Sequence, residues 1–219
     1  MELKYTTIIF DLDGTILNTI DDLADSVNYA LGRLGYPPHS VEAVCSFVGN
    51  GVGKLIERSA PESASEDTLM EYHRLFLDHY QKHCADKTRP YDGIPELLVK
   101  LRTMGVALAV VSNKPDSAVK PLCDDYFHGL FDIAVGEREG IRRKPSPDSV
   151  YEVMEKLGAD RDKTLYVGDS DVDVQTAKNA GIDCASVCWG FRSRDFLIAN
   201  GAVTIAENCD ELFDIICAK

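Results

Sequence analysis

One pair of acids in this sequence has the spacing that suits metal-assisted chemistry. Asp11 and Asp13 stand one residue apart directly after a short apolar run, and Gly14 and Thr15 follow them. Two carboxylates this close repel each other unless a cation offsets their charge, and Mg²⁺ takes hard oxygen ligands while it retains waters for a phosphate. Asp and Gly are also common in simple turns at strand ends, so this pair alone leaves both interpretations open.

A second group of acids follows another apolar run, in GDSDVD at 168–173. Asp169 and Asp173 are candidates for the same kind of chemistry as the first pair. Asp at the start of a helix is also an ordinary N-cap, and Asp171 is our candidate for that role. This segment alone does not decide between a metal site and a helix cap.

A hydroxyl and an amine in two further segments could bind a phosphate group. Ser112 ends the apolar run at 106–111 and offers a hydroxyl and a backbone N–H. Lys144 belongs to RRKP at 142–145, the densest positive patch in an acidic chain, and its point charge suits a phosphate. A turn at Ser112 and a solvated basic loop at Lys144 are the alternative interpretations.

The apolar runs that precede these residues alternate with amphipathic helical patterns. After a first strand at 6–10, helices and strands are predicted in turn at 94–104, 106–111, 117–123, 132–135, 147–157, 164–167, 172–180 and 184–187, with 202–205 and a helix at 209–217 closing the chain. Continuous apolar strands that alternate with helices indicate an α/β fold with a doubly wound, Rossmann-like parallel sheet. In such a sheet ligands bind at the carboxyl ends of the strands, where the polar residues described above lie.

The stretch between the first strand and the alternating pattern differs from the rest of the chain. It shows helical spacing throughout, with helices predicted at about 23–34, 40–47, 52–60 and 65–84. We therefore expect an α/β core formed by residues 1–15 and 86–219, with an all-helical cap inserted at residues 16–85.

Composition excludes several classes of protein. Apolar residues make up 45% of the 219 residues, which excludes an intrinsically disordered chain. The longest apolar run, 104–111, is much shorter than the roughly 20 residues of a membrane span. A net charge of -13 disfavours nucleic acid and anionic membranes as partners, but it permits a small anionic substrate at a locally positive site.

The cysteine pattern and the N-terminal residues indicate the cellular compartment in which we expect the protein. The seven cysteines include no CxxC pair, which is typical of free thiols in a reducing compartment and disfavours a zinc site or a disulfide scaffold. The first five residues contain no apolar signal region. We expect a cytoplasmic protein.

Four segments in fixed order resemble the motifs of the haloacid dehalogenase superfamily, specifically its phosphatases. They are DLDGT at 11–15, Ser112, Lys144 with Pro145, and GDSDVD at 168–173, and together they span nearly the whole chain. The resemblance implies that Asp11 is the nucleophile, forming an aspartyl-phosphate. It implies that Asp13 protonates the leaving oxygen and then activates water. It also implies one Mg²⁺, bound by the Asp11 carboxylate, the Asp13 backbone carbonyl and Asp169.

The same resemblance assigns the remaining polar residues. Ser112, Asn113 and the backbone N–H groups beside Asp13, at Gly14 and Thr15, would bind phosphate oxygens. Lys144 would offset charge on Asp11 and on the phosphoryl group, and Asp173 would orient Lys144 or a metal-bound water. The implied partner is a small anionic phosphorylated metabolite, and both a monomer and a dimer remain open.

The predicted cap is similar to the caps of phosphoglycolate phosphatases. The similarity rests on GYPP at 35–38, FVGNG at 47–51 and LIER at 55–58, and it makes 2-phosphoglycolate the first candidate substrate. The linker departs from the family at Asn18-Thr19, where Asp-Ser is frequent. The alternatives are a sugar-phosphate phosphatase, a pyrophosphatase, a β-phosphoglucomutase-like phosphotransferase and a non-catalytic regulatory protein. Such mutases often have Val where Thr15 stands, which favours hydrolysis.

Two aromatic residues that follow the last core strand are predicted to have a packing role. Trp189 and Phe191 flank Gly190, and we expect their rings to pack near the mouth of the site. Contact with substrate is the alternative.

Overall fold

A computed structural model describes residues 3–217 of the chain. Residues 1, 2, 218 and 219, which belong to the expected core range, lie outside the described residues. The chain divides into two units, one formed by the segments up to Leu17 and from Pro90 onward, the other by Asn18–Arg89. The sequence placed these boundaries slightly earlier, after residues 15 and 85.

Six parallel strands form the central sheet of the first unit. The strands of the chain are β1 (Thr7–Phe10), β2 (Leu17–Asn18), β3 (Arg89–Pro90), β4 (Ala107–Pro115), β5 (Ile133–Glu137), β6 (Thr164–Gly168), β7 (Asp183–Val187) and β8 (Thr204–Ala206). The order across the sheet is β5-β4-β1-β6-β7-β8, while β2 and β3 pair separately as a two-stranded ladder. This architecture confirms the predicted α/β fold.

Helices supply the remainder of both units. They are α1 (Ile20–Arg33), α2 (Val41–Phe47), α3 (Gly51–Ser59), α4 (Glu66–His83), α5 (Ile94–Thr103), α6 (Asp116–Phe127), α7 (Asp148–Leu157), α8 (Asp171–Ala180), α9 (Arg194–Ala199) and α10 (Cys209–Cys217), with a 3₁₀ turn at Arg161–Lys163. The sequence did not predict α9, whose first turn is capped by the Ser193 hydroxyl. Among the described residues, no helix is long and apolar enough to cross a membrane.

Strand β1 is buried on both faces because helices cover both sides of the sheet. Ile8 and Phe10 pack in one hydrophobic cluster, and Ile9 between them packs in another. Side chains of a strand alternate between its two faces, so an uninterrupted apolar run is what a strand covered on both sides requires. The run of β-branched residues before Asp11 thus identifies the centre of the sheet.

The register of the central strands positions the site. Phe10 pairs with Val110 of β4 on one side and with Val167 of β6 on the other. The residues that follow these three positions therefore emerge at one edge of the sheet. The sequence ended the second core strand at Val111, but β4 continues to Pro115 through an irregular register, so Ser112 lies within the strand.

The second unit is helical. Residues of α1 and α4, among them Val27 and Phe76, form its buried core. The Ser40 and Ser65 hydroxyls each accept a hydrogen bond from a backbone N–H of the helix that follows. Between α2 and α3 the chain turns through residues 49–51, which all have positive φ, and the Arg58 guanidinium donates to the carbonyls of Phe47 and Gly49.

Candidate active site

The loop after β1 is a tight turn that fixes Asp11 and Asp13. The Leu12 carbonyl accepts hydrogen bonds from the N–H groups of Thr15, Ile16 and Leu17. Gly14 has φ +83°, a conformation that residues with a Cβ rarely adopt, and its N–H donates to the Leu17 carbonyl. The turn therefore holds its two carboxylates at fixed positions on the edge of the sheet.

Lys144 is buried among polar side chains from the loop after β1, from β6 and from α8. Its Nζ lies 2.9 Å from Asp11 Oδ1 and 2.8 Å from Asp173 Oδ1. It also donates to the Tyr166 hydroxyl at 3.0 Å, and that hydroxyl donates to the Val111 carbonyl. A buried ammonium that two carboxylates contact is held in one place, and Asp11 obtains a cationic neighbour.

Burial and mutual repulsion shift the titration of these groups. Burial raises the pKa of Asp11 to about 7, although Lys144 opposes that shift. Burial, together with the neighbouring Asp173 and Asp11, raises the pKa of Asp169 well above its usual range. Burial alone would lower the pKa of Lys144, but the charges of Asp11 and Asp173 raise it well above its usual value. Burial thus favours the neutral forms of Asp11 and Asp169, while Lys144 stays charged between Asp11 and Asp173.

Asp169 follows β6 and is buried between two backbone segments. Its Oδ1 accepts a hydrogen bond from the Thr15 hydroxyl at 3.3 Å, and its Oδ2 accepts one from the Phe191 N–H at 2.7 Å. Both carboxylate oxygens therefore have a donor within the first unit.

Asp173 has two roles in the structure. Its Oδ1 contacts Lys144, and its Oδ2 accepts hydrogen bonds from the N–H and the hydroxyl of Ser170, the residue at the N-cap of α8. The expectation that Asp171 caps this helix is wrong, because Ser170 occupies that position and Asp171 is the first helical residue. Asp173 is placed where the sequence predicted a group that orients Lys144.

Three carboxylates could hold a cation. One oxygen each from Asp11, Asp169 and Asp173 lies within 4.8 Å of the other two. Oxygen donors alone suit Mg²⁺, and a divalent cation would stabilise the ionised forms of these buried carboxyl groups. The Asp13 carboxylate lies outside this group, and the metal contact of the Asp13 backbone carbonyl stays a prediction.

Lys114 is a site residue to which the sequence assigned no role. Its Nζ lies 2.7 Å from Asp13 Oδ1, and its side chain is only 2% exposed. No signal in the sequence pairs Lys114 with Asp13, because the register of β4 is irregular between Val111 and Pro115.

Ser112 and Asn113 differ in how free their polar groups are. Ser112 Oγ accepts a hydrogen bond from the Lys114 N–H, which leaves its hydroxyl proton free to donate. Asn113 donates from Nδ2 to the Lys144 carbonyl and accepts from the Lys144 N–H through Oδ1. Its amide is therefore engaged with the Lys144 backbone, whereas the sequence assigned it to phosphate.

Gly14 and Thr15 also bond within the protein, whereas the sequence assigned them to substrate. The Gly14 N–H is bonded to the Leu17 carbonyl and the Thr15 N–H to the Leu12 carbonyl. The Thr15 side chain is fully buried, and its hydroxyl contacts Asp169. Both residues shape the loop and support Asp169 in this structure.

Comparisons with known proteins agree with this geometry. The family model for haloacid dehalogenase-like hydrolases matches residues 8–187. A phosphoglycolate phosphatase of Pseudomonas syringae pv. syringae (strain B728a) is 39% identical, covering 84% of this chain and 70% of that protein. An N-acetylmuramic acid 6-phosphate phosphatase of Pseudomonas aeruginosa (strain PAO1) is 30% identical over 98% of this chain and 96% of its own length.

A solved structure has the same fold. A crystal structure from Lactobacillus delbrueckii subsp. bulgaricus, provisionally described as a phosphoglycolate phosphatase, superimposes with a TM-score of 0.94 at 39% identity, covering 99% of this chain and 100% of that one.

Taken with the site, these matches place the chain in the haloacid dehalogenase-like hydrolase family. The predicted family and the predicted phosphatase class of enzyme are thereby confirmed.

Proposed function

We propose that this chain hydrolyses a small phosphomonoester in a Mg²⁺-dependent reaction that passes through phosphorylated Asp11, and that 2-phosphoglycolate is its substrate. The observation that carries the proposal is the contact between the Asp11 carboxylate and the buried Lys144 ammonium at 2.9 Å, beside two further buried acids. A nucleophile and an anionic phosphate can approach each other only where cations offset both charges.

The residues divide the reaction into two steps. In the first, an Asp11 oxygen attacks phosphorus, the bond between phosphorus and the ester oxygen breaks, and the carboxyl group of Asp13, in its protonated form, gives that oxygen its proton. In the second, Asp13 takes a proton from water, the water oxygen attacks phosphorus, and Asp11 leaves as a carboxylate with release of phosphate. Lys144 and the Ser112 hydroxyl face the phosphoryl oxygens in both steps.

The metal contribution is confined to charge. Asp11, Asp169 and the Asp13 carbonyl would hold the Mg²⁺, which would supply positive charge beside the phosphoryl group. Asp173 is left out of this set in our proposal, because its Oδ1 contacts the Lys144 ammonium and the family resemblance assigns it to orient that lysine.

The helical unit, residues 18–89, is proposed to act as the cap that selects the leaving group. The match to a phosphoglycolate phosphatase over 84% of the chain supports 2-phosphoglycolate. The acidic chain and its seven free cysteines support a cytoplasmic site of action.

Phosphate release from a panel of phosphate esters tests the proposal. The panel contains 2-phosphoglycolate, pyrophosphate, β-glucose 1-phosphate and several sugar 6-phosphates, each measured with Mg²⁺ and with EDTA. We expect kcat/KM for 2-phosphoglycolate to exceed the others by at least about tenfold, which is 1.4 kcal/mol of transition-state discrimination, and EDTA to abolish release. A kcat/KM for 2-phosphoglycolate equal to or below that of another ester would overturn the assignment of 2-phosphoglycolate as the substrate.

A sugar phosphate is the second candidate substrate. The relative that acts on N-acetylmuramic acid 6-phosphate aligns with almost the entire chain, which favours this class over pyrophosphate. Preferential release from the sugar 6-phosphates in the same panel would replace 2-phosphoglycolate with this class and leave the proposed chemistry intact.

A further inference from the structure

The segment Trp189-Gly190-Phe191 follows the end of β7 at Val187 and lies against the loop after β1. The sequence assigned its aromatic residues to packing. The structure shows three separate contacts between this segment and the residues around Asp169.

The first contact is a backbone hydrogen bond to the metal-site acid. The Phe191 N–H donates to Asp169 Oδ2 at 2.7 Å, and Asp169 is only 1% exposed. A carboxylate buried beside two other acids needs donors to keep its orientation, because water cannot supply them.

The second contact is the close approach at Gly190. A Cβ placed on Gly190 would lie 2.3 Å from the Gly14 carbonyl oxygen and 2.5 Å from Asp169 Oδ2. Both distances are too short for real atoms, so only glycine allows the backbone to come this near to Asp169 and the nucleophile loop. The same restriction operates from the other side, where a Cβ on Gly14 would lie 2.3 Å from Asp169 Oδ2.

The third contact connects the indole to the loop that bears the nucleophile. Trp189 Nε1 donates to the Thr15 carbonyl at 2.9 Å, and the Thr15 hydroxyl donates to Asp169 Oδ1 at 3.3 Å. The segment therefore reaches one oxygen of Asp169 directly and the other through Thr15.

We propose that residues 189–191 form a clamp that positions the Asp169 carboxylate for Mg²⁺. The inference rests on the metal site of the proposed function, and it assigns positioning roles to Trp189, Gly190 and the Phe191 amide. Residues that orient a metal ligand in this way commonly change metal affinity by about ten- to a hundredfold when they are altered.

Mg²⁺ binding to the substrate-free protein tests the clamp, by isothermal titration calorimetry with Tm recorded for each variant. Gly190→Ala introduces the Cβ that the site cannot accommodate, and we expect its Kd for Mg²⁺ to rise by about tenfold or more. Trp189→Phe keeps an aromatic ring and removes one N–H donor, and we expect a rise of about two- to fivefold. Gly32→Ala is the matched control, because a Cβ there meets nothing within 4 Å, and its Kd should equal that of the wild type.

The outcomes separate the clamp from the metal site itself. The clamp is overturned if the wild type binds Mg²⁺ and both variants, Gly190→Ala and Trp189→Phe, bind it with the same Kd. This holds even where the Tm of a variant falls. Should Gly190→Ala fail to fold, an unchanged Kd in Trp189→Phe overturns it. If the wild type binds no Mg²⁺, the metal site of the proposed function fails, and the clamp with it.

Discussion

Lys114 and Asp13 form a largely buried ion pair, with Nζ 2.7 Å from Oδ1, that joins strand β4 to the loop after β1. Lys114 lies in β4, and Asp13 lies in the loop after β1. The pair fixes the Asp13 carboxylate beside the site while Lys144 engages Asp11. Each of the two acids proposed for the reaction thus has its own lysine.

Removal of the Lys114 amine should displace Asp13. We expect Lys114→Met to lower kcat by roughly a hundredfold, since a misplacement of about 1 Å at a reacting group has effects of that size. Lys120→Met is the control, because Lys120 forms an exposed pair with Asp116 on α6 and should keep kcat within about twofold. Steady-state kinetics that give equal kcat values for the two variants would contradict a role for Lys114.

Lys144 and Tyr166 belong to one hydrogen-bonded chain but should differ in effect. Lys144→Met removes the cation beside Asp11, and we expect kcat to fall by about a hundred- to a thousandfold. Tyr166→Phe removes one hydroxyl that supports the amine, and we expect a loss of less than about tenfold. If kcat falls more in Tyr166→Phe than in Lys144→Met, Lys144 acts only as a structural group.

Asn113 should contribute mainly to stability. It makes two hydrogen bonds to the Lys144 backbone, each contributing about 1 kcal/mol, so Asn113→Ala should lower Tm by about 4–8 °C. Asn179→Ala removes two exposed hydrogen bonds, one to the Pro145 carbonyl and one from the Gln175 side-chain amide, and should lower Tm by less than half as much because water replaces exposed partners. An unchanged Tm with a raised KM in Asn113→Ala would instead support the phosphate contact that the sequence suggested.

The titration of Asp11 predicts how pH affects the metal-free protein. Its folded pKa of about 7 exceeds the ordinary value of 3.8, so the folded state holds a proton that the unfolded state releases in this window. The associated stability is present below the ordinary pKa and is lost as pH rises through about 7. Lys144, whose pKa lies well above 10.5, keeps its charge throughout.

Thermal denaturation in EDTA measures this effect. Asp11→Asn lacks the carboxyl, so its Tm relative to the wild type should increase by a few degrees between about pH 5 and about pH 8. Added Mg²⁺ should raise the wild-type Tm more at the higher pH, where protons compete less for Asp11 and Asp169. A Tm difference between the two proteins that is independent of pH would contradict the raised pKa.

The sequence predicted the elements that carry strong periodic patterns. The run before Asp11 is short and continuously apolar, and the structure has the central strand β1 there. Residues 20–83 show helical spacing of apolar residues, and the structure has four helices there. The order of the four motifs was sufficient for the family because each lies at the same edge of the sheet, either in the last residues of a strand or in a loop. Short elements such as α9 were missed, since six residues are too few to show a period.

The details of the site depended on contacts between residues far apart in the chain. Nothing in the sequence around Lys114 indicates that its amine reaches Asp13, because the register of β4 against β1 determines that contact. Likewise, the hydrogen bonds of Asn113 to Lys144 and of Phe191 to Asp169 join segments that are far apart in the chain. The residue types indicated which reaction the site supports. The packing of the strands determines which of these polar groups remain free to contact a substrate.

The nucleophile is the central claim, and steady-state phosphate release from 2-phosphoglycolate tests it with Asp11→Asn and Asp171→Asn. The two variants make the same chemical change, but Asp171 lies in the first turn of α8 outside the group of three acids. We predict that Asp11→Asn keeps its fold by circular dichroism and loses several orders of magnitude in kcat, whereas Asp171→Asn stays within about twofold of the wild type. Turnover at the wild-type level in Asp11→Asn would contradict the assignment of Asp11 as the nucleophile.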